Sequence, residues 1–359
     1  MPANNIQYEK RSGRPFLWRI IGQATKCLVI TITGMRMASS VKADPPSWQE
    51  LSAHLFTNAV IVWQAPTNLL PKKLWVYQRE LPRLFSPTVI SNAMVLGSLQ
   101  HKGIPRPNTN DFYIAEDKPP GNCCGIPTIF GIQPGDAFLY YGAPKEDDGL
   151  GSQLPSDETI IMLALHAAAK FGLDPTKLVQ KSLYTRFADA GADGKTTGKI
   201  RGRGIFLSRQ LDGIIFFSAD NEGDGAEGLS LEMGSYGQIR SFFLRWSDLH
   251  RYENHTSASP ADVIACIKAH VTMVLPHDGE EDYFPRLKRL AAVKKLTITK
   301  LTPYYGEGIF GESPTNDAPA KFAVPFAELE AVADFGKSNC PVQLISPILS
   351  SEVHRLLGR

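Results

Sequence analysis

The segment Gly204–Ala219, GIFLSRQLDGIIFFSA, and its sequel Leu229–Trp246, LSLEMGSYGQIRSFFLRW, carry the densest β signal in the chain. Ile205, Phe206 and Leu207, then Ile214, Ile215, Phe216 and Phe217, are β-branched or aromatic-rich runs of strand length. Asp212-Gly213 lies between them and suits a two-residue type I′ loop, in which both central residues need φ > 0. A second turn at Gly234-Ser235-Tyr236-Gly237 joins Leu229–Met233 to Gln238–Trp246, and the acidic loop Asp220–Gly228, DNEGDGAEG, separates the hairpins. Together they predict a four-stranded antiparallel meander with sequence neighbours paired. Such a sheet needs one face covered. A helix over about Asp157–Phe171 supplies the cover, with Ile160, Leu163, Ala164, Ala167 and Phe171 as its stripe and Gly172 as its stop.

The same order recurs downstream. Ser259-Pro260-Ala261-Asp262 reads as a capped helix start, and strand signals follow at Leu296–Tyr305, Phe322–Phe335 and Val342–Leu349. Upstream, Ser86-Pro87 opens a helix carrying Val89, Ile90, Ala93, Leu96 and Gln100, which Gly103 and Pro105 end. Strands are predicted at Leu74–Tyr77 and Phe138–Tyr141, with a long loop over residues 103–127. The expected fold class is α+β: tandem modules of one or two helices packed on antiparallel sheets. The expected units are a signal peptide (1–43), an N-terminal α/β unit (44–150), a helix-plus-meander module (151–258) and a second helix-plus-sheet module (259–359).

The helix followed by FLSRQLDGI, a strand, the turn G-x-x-G-Q-I and a further strand resembles PepSY-type modules. ITKLTPYYGEG followed by KFAVPFAELEAVADFG is similar to the closing part of tandem PepSY-like ectodomains. The resemblance spans residues 157–350. It implies a helix on a cystatin-like sheet, and exported or membrane-tethered modules that bind or inhibit partners. It carries no catalytic residues.

Charge distribution bounds the function. Residues 1–43 hold seven of the 38 Lys and Arg but one of the 36 acids, which leaves 31 basic and 35 acidic residues in the body. A slightly acidic body gives no electrostatic reason to bind nucleic acid. The basic start, the apolar run Cys27–Met35 and the small residues of Val41-Lys42-Ala43 read as an export signal; the alternative is a helical or disordered extension. No membrane span is expected beyond it. Export would leave Cys123, Cys124, Cys266 and Cys340 in an oxidising compartment, either as two disulfides or as free thiols.

Several chemistries lack a full residue set. Cys266 and His270, four apart on a helix, suit a metal pair, yet they share an apolar stripe with Val263 and Ile267. Asp220–Gly225 has the early positions of a calcium loop but Leu231 at the twelfth, and Asp189–Gly194 fits less well. Gly194-Lys195-Thr196 lacks the upstream glycine of a phosphate loop. Ser208 has no nucleophile elbow and His166 no partner serine. Neither a cofactor nor a metal is therefore expected. Glu307, Glu312, Glu328 and Glu330 include a neighbouring pair, Glu328 and Glu330, of the kind a glycosidase uses; a solvated strand face gives the same pattern. Arg203, Arg209, Arg240 and Trp246 fall in the meander, and Arg with aromatic residues marks binding surfaces. The bland reading pairs the arginines with Asp212, Glu232 or Asp248. The expectation is an exported, non-enzymatic binding or regulatory protein with a protein or extracellular ligand as partner. The alternative is an extracellular hydrolase using the carboxylates of the C-terminal unit.

Overall fold

The computed structural model describes residues 55–97 except 69 and 82, then 113–117, 128–142, 154–187, 200–217, 226–275, 289–307 and 322–358. In chain order the first part holds β1 (Val60–Trp63), β2 (Lys73–Glu80), α1 (Pro87–Leu96), β3 (Tyr113–Asp117), β4 (Thr128–Gln133) and β5 (Phe138–Gly142). The middle holds α2 (Asp157–Lys170), β6 (Leu178–Phe187), β7 (Ile200–Leu211), β8 (Ile214–Phe216), β9 (Gly228–Met233), β10 (Ile239–Arg245) and β11 (Asp248–Thr256). The last part holds α3 (Pro260–Lys268), β12 (Met273–Val274), β13 (Lys295–Glu307), β14 (Phe322–Asp334), β15 (Asn339–Pro347) and α4 (Ser350–Leu356). The export signal, Cys123, Cys124, Asp189–Gly194, Gly194-Lys195-Thr196 and Asp220–Gly225 lie outside the described residues.

The architecture corrects the expected α+β tandem of modules. The described residues are mostly β, with four short α-helices. All fifteen strands connect into one mixed sheet, whose main path is β11-β2-β14-β13-β8-β7-β9-β10-β5-β4-β3. Strands remote in sequence share it. β2 pairs with β11 and β14, and β1 lies parallel to β13. β5 extends the other half by pairing with β10.

The four-stranded meander is also corrected. β9 pairs with β7, not with β8. β8 makes only two pairs with β7 and turns away to run parallel to β13. The reason is burial. Ile214 and Phe216 belong to the core of the β13–β14 half, where Phe216 meets the Tyr305 ring at 5.9 Å. The turn itself follows the sequence: Asp212 and Gly213 have φ of 49° and 81°.

Each half of the sheet has its own core. One lies under α1 and α2 and includes Phe130, Ile132, Ile160, Ala164, Ile205, Leu231 and Phe242. The other lies under α3 and α4 and includes Leu74, Val263, Cys266, Leu296, Tyr305, Leu329 and Val353. Local chemistry sets the helices as predicted. Ser86 and Ser156 accept hydrogen bonds from the Val89 and Thr159 amides, and Ser259 and Asp262 form a capping box. α1 ends earlier than read, at Gly97, and β3 occupies part of the expected loop 103–127.

The Asp212 turn is held by tertiary contacts. Tyr77 Oη donates to Asp212 Oδ2 at 2.5 Å and Arg251 Nη2 to Oδ1 at 2.6 Å. Burial and the neighbouring Asp212 carboxylate push the Tyr77 phenol up to about 12. Replacing Asp212 by Ala removes both acceptors and leaves Tyr77 half-satisfied. We predict a loss of about 2 kcal/mol in urea unfolding, against about 1 kcal/mol for Tyr77→Phe.

Candidate functional site

On β14 the residues alternate between faces. Ala327, Leu329, Ala331 and Ala333 pack into the core under α3 and α4. Phe326, Glu328 and Glu330 therefore lie on the opposite, outer face. Register then builds a small site there. Tyr304 of β13 pairs with Phe326, and Glu328 pairs with Thr302 on one side and Ile345 on the other. Met273 of β12 pairs with Ile345 and continues that row. Tyr304, Phe326 and Ile345 form a separate apolar cluster with half-buried Ile215, Phe217, Met273 and Leu275 against it. The Phe217 ring meets Tyr304 and Phe326 edge-on, each at 5.4 Å between centroids.

Lys181 completes this site from the other half of the sheet. A bulge in β6, between Gln180 and Ser182, takes it out of the β7 ladder. Its Nζ lies 4.7 Å from the centroid of the Tyr304 ring. Burial lowers its pKa below the usual lysine value, and the Glu328 carboxylate opposes that shift. Burial likewise raises the Tyr304 phenol, reinforced by Glu328, which accepts its hydrogen bond. The neighbouring Glu330 is engaged by Lys300 Nζ at 2.5 Å. The site thus has a cation, an acid and an aromatic wall where the two halves of the sheet meet. Sites for small ligands concentrate at such junctions.

The predicted binding residues sit elsewhere. Ile205 and Leu207 of β7 belong to the core under α1 and α2, so Arg203 and Arg209, two positions to either side, share that covered face. Arg203 donates to the Pro155 carbonyl at 3.0 Å and pairs with Asp157 at the start of α2. Arg240 lies against Gly234, where an added Cβ would stand 2.2 Å from its Nε. Arg209 and Trp246 do come together: the guanidinium lies 4.3 Å from the indole centroid. Both are buried.

They belong to a network centred on Glu227, whose side chain is 0% exposed. Arg79 of β2 donates to its Oε1 at 2.9 Å, and Arg209 of β7 to its Oε2 at 3.2 Å. The Ser247 amide donates to both oxygens at 3.1 and 2.9 Å, and its hydroxyl to Oε1 at 2.5 Å. Arg79 Nε donates back to Ser247 Oγ at 2.9 Å, and Arg209 Nη1 to the Ser247 carbonyl at 2.6 Å. Beside it Arg83 donates to the Trp246 carbonyl and stands 3.7 Å from Asp248. The Trp246 ring and the Ser247 carbonyl also face the Arg209 guanidinium. The sequence reading offered Asp212, Glu232 or Asp248 as partners for these arginines; Arg209 instead pairs with Glu227, and Arg203 with Asp157.

A third cluster was not assembled from sequence. Ser351 Oγ lies 2.9 Å from His255 Nδ1, and His255 Nε2 lies 3.0 Å from Glu253 Oε2. Cys266 is buried and its thiol is pushed up to about 12, first by burial and then by Asp262 and Glu352. His270 follows α3 in a left-handed conformation, with φ of 60°. Among the described residues no group of three or more His, Cys, Asp or Glu side chains is placed to hold a metal ion. No described helix is long and apolar enough to cross a membrane. No family model and no curated protein matches the chain.

The Glu227 network gives a pH prediction. Burial alone would raise its carboxyl, but Arg209, Arg79 and the Ser247 hydroxyl outweigh burial and hold it below the ordinary carboxylate range. A depressed folded pKa contributes stability above the unfolded value of about 4.3, and that contribution is lost as pH falls through the folded value. Glu227→Gln should therefore cost about 3–5 kcal/mol at neutral pH. The gap from wild type, read by denaturant unfolding, should narrow below about pH 4.

Proposed function

We propose that the protein is an exported binding protein, and that it holds a small amphipathic anion at the outer-face site around Lys181. The observation that carries the reading is a half-buried lysine against an aromatic ring, next to half-buried Phe217, Met273 and Leu275. An apolar ligand body gains by covering those side chains. An anionic group gains by pairing with the Lys181 ammonium, whose hydration burial has reduced. Arg203, Arg209, Arg240 and Trp246 act in this reading as supports for the sheet. A hydrolase working through Glu328 and Glu330 would need an acid free to move a proton, and Tyr304 and Lys300 engage these two. Export is supported by the basic N-terminal segment and the apolar run Cys27–Met35.

Two measurements test this. The fluorescent amphipathic anion anilinonaphthalene sulfonate should bind saturably to the folded protein. Lys181→Met and Phe217→Ala should each weaken it about tenfold, about 1.4 kcal/mol, and Glu328→Gln should tighten it by removing a like charge. Unchanged affinity in all three variants would refute the site. For export, the mass of the secreted chain should correspond to a start at Asp44; a cytosolic product retaining residues 1–43 would refute it.

A further inference from the structure

Beyond ligand binding, we propose that Ser351, His255 and Glu253 form an acyl-transfer site that hydrolyses small activated esters. The chain builds this cluster by specific local devices. A bulge between Arg251 and Glu253 in the β11–β2 ladder resets the strand, so Glu253 pairs with Val76 and His255 with Leu74. Glu253 and His255, two apart, then share a face of β11. The end of β11 is tied to the start of α4 by the Ser257–Leu349 bridge and by the Ala258 amide donating to the Ile348 carbonyl at 2.7 Å. That tie brings Ser351 beside His255 across 96 residues of sequence.

The hydrogen bonds define roles. With Glu253 accepting at 3.0 Å, the imidazole carries its proton on Nε2 and leaves the Nδ1 lone pair facing Ser351 Oγ at 2.9 Å. Nucleophile to base and base to orienting acid are the two contacts that activated serines require. Ser351 is exposed, and the His255 side chain retains 22% exposure, so an acyl group has access to both. In the first step Oγ bonds to the acyl carbon, its proton passes to Nδ1, and the leaving alcohol takes that proton as the C–O bond breaks. In the second, Nδ1 takes a proton from water, whose oxygen attacks the acyl-serine. The carboxylic acid departs and Ser351 recovers its proton. Glu253 is a positioning residue: it never meets the substrate.

The full-length protein is incubated with p-nitrophenyl acetate. A burst of p-nitrophenolate is expected, with an acetyl group found on Ser351 by peptide mass spectrometry. Ser351→Ala should abolish the burst, and His255→Ala should slow turnover about a hundredfold, the lower range for general-base assistance. Glu253→Gln should lower kcat while leaving KM unchanged, and Glu253→Asp should restore part of the rate. Thermal melts check that each surface variant remains folded. Wild-type release rates in Ser351→Ala, or acetylation confined to lysines, would overturn the proposal. Dye affinity at the Lys181 site and acetylation of Ser351 are separate readouts. Failure of either idea is therefore distinguishable from failure of the other.

Discussion

A carboxylate with no access to water holds the junction of this sheet. Glu227 draws one arginine from β2, one from β7 and the amide and hydroxyl of Ser247, the residue at which the chain passes from β10 to β11. These groups come from both halves. A buried ion pair is a weak source of net stability, because desolvation offsets most of the attraction, but removing one partner is costly. The network ties β2 to β7, two strands that do not pair directly, through one carboxylate. The parallel β8–β13 pairing also joins the two halves.

Both faces of the junction follow from it. On the covered face Arg209 is spent on Glu227 and Trp246, so its charge serves the fold. On the outer face the bulge of β6 delivers Lys181 over Tyr304, a contact between strands that belong to different halves. The proposed ligand site is thus a by-product of how the halves are locked together. The Ser351 cluster lies apart from that junction, at the β11 and α4 ends, and depends on the bridge between Ser257 and Leu349.

Much of the local structure was legible in the sequence. Serine caps, the Asp212-Gly213 turn and the apolar stripe of α2 are short-range chemistry, and they appear where residue types demand them. Partner choice between strands was not legible. Ile214 and Phe216 advertise a buried strand without saying which core buries it, and pairing sequence neighbours into a meander fits the residue types equally well. β11 was missed because DLHRYENHT is almost wholly exposed and has no apolar period, and β6 because its bulge interrupts alternation. The tandem reading failed for the same reason: β1 and β2 carry no mark that their partners lie over two hundred residues ahead. The candidate sites were partly legible. Glu328 and Glu330 do sit side by side on an outer face, but Lys181, Tyr304, His255 and Ser351 gain meaning only from pairing register.

Native-state hydrogen exchange shows whether the halves form one cooperative sheet locked at Glu227. With Glu227→Ala, the amides of β7 and β9 and those of β2 and β14 should lose protection together and by similar free energies. Loss confined to β7, β9 and β10, with β13–β15 at wild-type protection, would contradict the claim and show two independently stable units.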